Sequence, residues 1–152
     1  MINPLTDIDK KLLQEKYPDQ MEFVNQKLAE NYPVQYLIGN VNFYGYQINV
    51  DERVLIPRFE TEMLVEETIK LIKLYIKEPH ILDIGTGSGC IAISLSKELN
   101  TTIDAIDISK NALEVATENA VLNHANVNFY NLDITNCDLK STYNVIISNP
   151  PY

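Results

Sequence analysis

Cysteine is nearly absent: the 152 residues hold two, Cys90 and Cys137. Two thiols without metal-ligand neighbours cannot build a disulfide framework and read as buried free thiols. Histidine is equally scarce, at two, so no metal site is expected. No apolar run is long enough to cross a bilayer. The start, "MINPLTDIDKK", lacks the apolar stretch of a signal peptide. The expectation is a cytoplasmic protein with no membrane contact. Glycine and proline, five and seven, are too few for a collagen-like or disordered chain. Basic residues are short as well: 12 Lys and Arg stand against 21 Asp and Glu, a formal net charge of −9. Nucleic-acid binding draws on Lys and Arg that displace counterions from phosphates. No basic stripe stands out, so no direct nucleic-acid partner is expected.

What is present is the composition of an ordinary globular domain, 45% apolar and 22% charged. Residues 1–33 read as a short helical segment. Thr6 can cap "DIDKKLLQEK", and Met21, Val24 and Leu28 share one face of a second helix that Pro33 ends. Residues 34–59 read as a β-hairpin linker: in "VNFYGYQINVD", Tyr46, Ile48 and Val50 alternate with polar residues. Residues 60–152 open with a helix started by Glu60 or Thr61, with Val65, Ile69, Ile72 and Ile76 as its apolar stripe. From His80 strands alternate with helices: "HILDIG", "SGCIAISLSKEL", "TIDAIDIS", "SKNALEVATENAVLNH", "NVNFYNLD" and "YNVIISNPPY". Such alternation predicts an α/β fold, about four parallel strands with right-handed crossovers and helices packed on the sheet's faces.

"LDIGTGSGC" puts Gly85, Gly87 and Gly89 between a strand and a helix. Such a loop brings backbone close to a ligand, although a tight strand-to-helix turn would need glycine too. The dinucleotide fingerprint wants a third glycine where Cys90 stands. Asp83, just before the loop, would oppose a pyrophosphate and suits a ligand carrying an ammonium group. Asp107, closing the second strand, can accept both hydroxyl protons of a ribose, or else is a cap-like acid beside Ser109. Asp133 can meet an adenine amino group, or is a solvated loop acid. A nucleoside with a cationic amino-acid tail and no pyrophosphate is S-adenosylmethionine rather than NAD.

The chain ends "SNPPY" at the carboxyl end of the fourth strand, where such folds bind ligands. A strand terminator needs proline but neither Asn149 nor Tyr152. Methylating a planar NH₂ group does need two acceptors aimed at its protons. The Asn149 side-chain oxygen and the Pro150 carbonyl can supply them, and the Tyr152 ring can stack on the planar group.

"DIGTGSG", "AIDIS" and "SNPPY", in this order, resemble class I S-adenosylmethionine-dependent methyltransferases of exocyclic or amide nitrogens, with their Rossmann-like sheet. The stretch "PVQYLIGNVNFYGYQINVDERVLIPRFETEMLVE" is similar, more narrowly, to the release-factor glutamine methyltransferases (the PrmC/HemK family). The resemblance covers Pro33 to Tyr152. It implies methylation of the glutamine of the GGQ motif in class I peptide chain release factors, a step that concerns translation termination. Asn149, Pro150, Pro151 and Tyr152 would hold that glutamine. Gly85, Thr86, Gly87, Ser88, Gly89, Asp107 and Ile134 would line the cofactor pocket, beside Asp83, Asp133 and Asn149. Family members usually carry proline at the position of Phe59 and a longer helical segment before Pro33. Their sheet continues for three strands after the Asn-Pro-Pro-Tyr turn, so a truncated sheet with an unpaired edge is expected, and with it reduced turnover. Two other readings stay open: an amino-methyltransferase of adenine in DNA or guanine in ribosomal RNA, and a truncated cofactor-binding fragment without activity.

Overall fold

The computed structural model describes residues 4–151. Helices α1 (Asp7–Lys16) and α2 (Met21–Ala29) form where expected. Thr6 caps α1 in a reciprocal box with Asp9: the Asp9 N–H donates to Thr6 Oγ1 at 3.1 Å and the Thr6 N–H to Asp9 Oδ2 at 2.9 Å. A third helix, α3 (Val34–Ile38), was not anticipated. Its boundaries were written in the sequence, with Pro33 at its start and Gly39 at its left-handed C-cap. Five residues carry too little periodicity to show it. Leu13, Val24 and Leu37, one from each helix, make a small core of their own.

Strands β1 (Asn40–Phe43) and β2 (Tyr46–Asn49) pair antiparallel across Tyr44 and Gly45, both at positive φ, 52° and 84°. That is the backbone a tight two-residue hairpin turn needs. Phe43, Ile48 and Val50 point into the main core. The hairpin is also bonded to three helices: α4 (Phe59–Tyr75), α5 (Cys90–Leu99) and α6 (Lys110–Leu122). Glu62 accepts the Tyr44 N–H at 2.9 Å, Glu98 accepts the Tyr46 hydroxyl at 2.7 Å, and Asn123 Nδ2 donates to Gln47 O at 2.8 Å.

Helix α4 starts earlier than expected, with Arg58 as its N-cap. Thr61 is therefore already in the first turn, and its side chain is free for other work. Val65, Ile69 and Ile72 are buried as expected, while Ile76 lies just past the helix as an extended, partly buried residue.

Strands β3 (Ile81–Ile84), β4 (Ile103–Asp107), β5 (Val127–Asn131) and β6 (Val145–Ser148) form one parallel sheet in the order β5-β4-β3-β6. The helices cover one face. Ile81, Ile103, Ala105 and Ile147, which share a face by register, join the helix core, whereas Ile146 opposite is 60% exposed. This corrects the expectation of helices on both faces. The crossovers through α5 and α6 advance in the same direction, so their common handedness puts both helices on one side. The return from β5 to β6 carries only a 3-10 turn, Ile134–Asn136, and a loop. Cys90 is buried as expected, and burial pushes its thiol up to about 12. Cys137, in that loop, is only half-buried, contrary to expectation. Among the described residues no helix is long and apolar enough to cross a membrane.

One polar side chain is wholly enclosed in the helix layer. Asn119 of α6 accepts the Asn49 N–H at 2.8 Å and donates to Asn49 O at 3.0 Å and Ser88 O at 2.9 Å. Replacing it with alanine strands three backbone groups. Asn119→Ala is expected to lower unfolding free energy by about 3 kcal/mol, measured by urea denaturation.

Candidate active site

Register brings the site together. Ile84 pairs with Ser148 on one side and Ile106 on the other, and Asp107 pairs with Asn131. Gly85, Asn149 and Asp107 therefore lie at one level along the carboxyl edge. Strand order reverses between β3 and β6, which is where open α/β sheets form a crevice. A cavity of about 470 Å³ opens there.

The glycine loop folds over the end of β4. The Gly85 and Thr86 N–H groups donate to Ile106 O at 2.9 and 3.0 Å. The Gly87 N–H donates to Asp107 Oδ2 at 2.9 Å, and the Ser109 N–H to Oδ1 at 2.9 Å. Gly85 and Gly87 have φ of 70° and 56°, and a Cβ on either would meet nothing within 4 Å, so both present bare backbone to open space. Gly89 differs. A Cβ there would come within 3.2 Å of Ala116 Cβ, so this glycine serves the packing of α5 on α6.

Most of the residues expected from the sequence converge on the cavity. Gly85, Thr86, Gly87 and Ser88 line it beside Asp107, the segment after β5 contributes Asp133 and Ile134, and the turn after β6 contributes Asn149, Pro150 and Pro151. Asp83 and Gly89 do not line it. Tyr152 lies outside the described residues.

Asp83 is fully buried two residues before the loop. Its Oδ2 accepts the Thr86 hydroxyl at 2.7 Å, while Oδ1 has no partner among the described residues. Burial pushes this carboxyl up to about 7, against the pull of the Thr86 hydroxyl. An orphaned buried acceptor behind a loop of bare glycine backbone fits the ammonium end of S-adenosylmethionine and would oppose a phosphate. Both oxygens of Asp107 are held by backbone N–H groups, as the cap-like reading has it, yet each keeps a lone pair for a ribose hydroxyl. Asp133 caps the 3-10 turn: its Oδ1 accepts the Thr135 N–H at 2.9 Å and hydroxyl at 2.6 Å, which holds its carboxyl below the usual range. Its Oδ2 is left for a ligand.

Several lining residues were not found from the sequence. Ile108 stands 70% exposed directly after Asp107. With Leu132 and Ile134 it supplies apolar surface for a planar ring. An apolar residue following a strand-ending acid was a readable signal. Leu55, Ile56 and Pro57, from the loop before α4, and Thr61 also border the cavity. Nothing local marks them, because they are far upstream of the strands they meet.

The family model described as methyltransferase small domain matches residues 59–152. The chain belongs to that family. It is 48% identical over 139 residues to a release factor glutamine methyltransferase of Flavobacterium psychrophilum, a match covering 88% of this chain and 48% of that one. A protein of the same description from Lactococcus lactis subsp. lactis is 45% identical over 146 residues, 93% of this chain and 53% of that one. The chain thus spans about half the length of the curated relatives it matches. Among solved structures, the ribosomal protein L11 methylase of Lactobacillus delbrueckii subsp. bulgaricus superposes with a TM-score of 0.56 at 27% identity, over 68% of this chain and 52% of that one.

The buried carboxyl yields a pH test. Between its ordinary value of 3.8 and about 7, Asp83 keeps in the folded chain a proton that the unfolded chain has released. Its contribution to stability therefore falls as pH rises through that window and is level above it. Asp83→Asn removes the slope. The melting midpoint of this variant, relative to the parent, should rise between about pH 5 and about pH 8, measured by thermal circular dichroism.

Proposed function

We propose that the protein transfers a methyl group from S-adenosylmethionine to the side-chain amide nitrogen of the glutamine in the GGQ motif of class I peptide chain release factors. The observation that carries this reading is the convergence of the glycine loop, Asp107 and the Asn149–Pro151 turn on one cavity. The similarity to release factor glutamine methyltransferases supports the substrate.

S-adenosylmethionine supplies a methyl already activated on a sulfonium, so the residues have mainly to position the acceptor. Asp107 binds the ribose hydroxyls, Asp133 and the backbone after it meet the adenine edge, and Asp83 balances the ammonium end. Asn149 Oδ1 and the Pro150 carbonyl would accept hydrogen bonds from the two N–H groups of the glutamine NH₂, one proton passing to solvent as the methyl is transferred and S-adenosylhomocysteine leaves. They hold its nitrogen towards the methyl and favour the positive charge that develops there. Acting on a translation factor, the protein would work in the cytoplasm. An amino-methyltransferase of DNA or ribosomal RNA could use the same turn, but a net charge of −9 offers little to a phosphate backbone.

Calorimetric titration with S-adenosylhomocysteine, with NAD as control, tests the pocket. Selective binding is expected, weakened by about 10- to 100-fold in Asp107→Ala, which removes two acceptors. Asn149→Ala should leave that binding within a few-fold and slow methylation of a release factor by about 100-fold, read by mass spectrometry at the GGQ glutamine. Methylation of nucleic acid with an untouched release factor would overturn the substrate assignment.

A further inference from the structure

We propose that Thr61 is a positioning residue for the methyl-accepting nitrogen, tethering the Asn149 amide at the wall of the cavity before the substrate arrives. The inference rests on the role given to Asn149 above. An asparagine amide has nearly the same shape after a half-turn that exchanges its oxygen and nitrogen. Only one orientation offers an acceptor to an incoming NH₂; the other sets donor against donor. The amide must therefore be held still before the glutamine arrives.

In the structure the amide is held from α4. Asn149 Nδ2 donates to Thr61 Oγ1 at 3.0 Å, across 88 positions of sequence. Among the described residues Thr61 is the only hydrogen-bond partner of the Asn149 side chain. The neighbouring hydroxyl is already committed, since Ser148 Oγ donates to Ile84 O at 2.8 Å. Pro150 has no N–H with which to compete. With Nδ2 held, Oδ1 is the atom left for a substrate amide.

Thr61 is well placed to act as a fixed post. It is 6% exposed and borders the same cavity. Its helix is tied to the hairpin through Glu62 and the Tyr44 N–H. The hydroxyl touches neither methyl donor nor acceptor in this scheme; it acts through Asn149.

The test separates tethering from folding and from activity. Thr61→Val removes the hydroxyl at nearly constant shape, and Thr61→Ser keeps it. In ¹⁵N-resolved spectra of the full chain, the Asn149 Nδ2 protons should exchange with water about fivefold faster in Thr61→Val than in the parent. Thr61→Ser should restore the slow exchange. With release factor as substrate, Thr61→Val should lose about tenfold or more in kcat, with little change in KM for the methyl donor, and Thr61→Ser should recover most of it. Should Thr61→Val not fold, Thr61→Ala provides the same readings. Unchanged exchange, or equal turnover of valine and serine variants, overturns the role of Thr61. No methyl transfer by the parent chain would instead count against the proposed function, while the exchange rates still decide the Thr61 contact.

Discussion

Three hydrogen bonds from one enclosed side chain hold the parts of this molecule in their working arrangement. Asn119 reaches from α6 to Asn49, at the end of the hairpin, and to Ser88, in the glycine loop. The first contact fixes where the chain leaves the hairpin, and so where the segment Leu55–Pro57 passes along the cavity. The second fixes the loop that faces that segment. A buried amide is costly unless every group it meets is paired. The joint is therefore all-or-none, and it couples the hairpin to the glycine loop.

The two acids nearest the glycine loop are held in different ways. Asp83 sits fully buried with an orphaned oxygen, and Asp107 is held by two backbone N–H groups. Of the two arginines that border the cavity, Arg53 binds Asp51 at 2.7 Å and reaches Glu114 at 3.4 Å, while Arg58 has no ion-pair partner among the described residues. Exposed pairs of this kind add little stability.

The β3–β6 pairing sets the glycine loop beside the Asn149–Pro151 turn. Ile84 and Ser148 are register partners, bridged again by the Ser148 hydroxyl. The loop that would hold the methyl donor and the turn that would hold its acceptor thus leave adjacent strands from the same level. Positioning of this sort needs rigid supports, and strands buried beside a helix layer supply them.

Much was legible from residue order alone. Strand-helix alternation after His80, the glycine loop, the strand-ending Asp107 and the Asn-Pro-Pro turn each declare themselves locally, because backbone preference and period are local properties. The structure differs where local rules compete. The five-residue α3 had punctuation without periodicity, Thr61 could have capped α4 but Arg58 does, and Gly89 is spent on Ala116 rather than on a ligand. What the sequence by itself determined is the strand-helix alternation after His80 and the chemical types at the carboxyl edge of the sheet. Only the tertiary structure decided that the helices cover one face, that Leu55–Pro57 walls the cavity, and that Thr61 meets Asn149. Those facts depend on contacts between residues far apart in the chain, which packing selects and no local preference encodes.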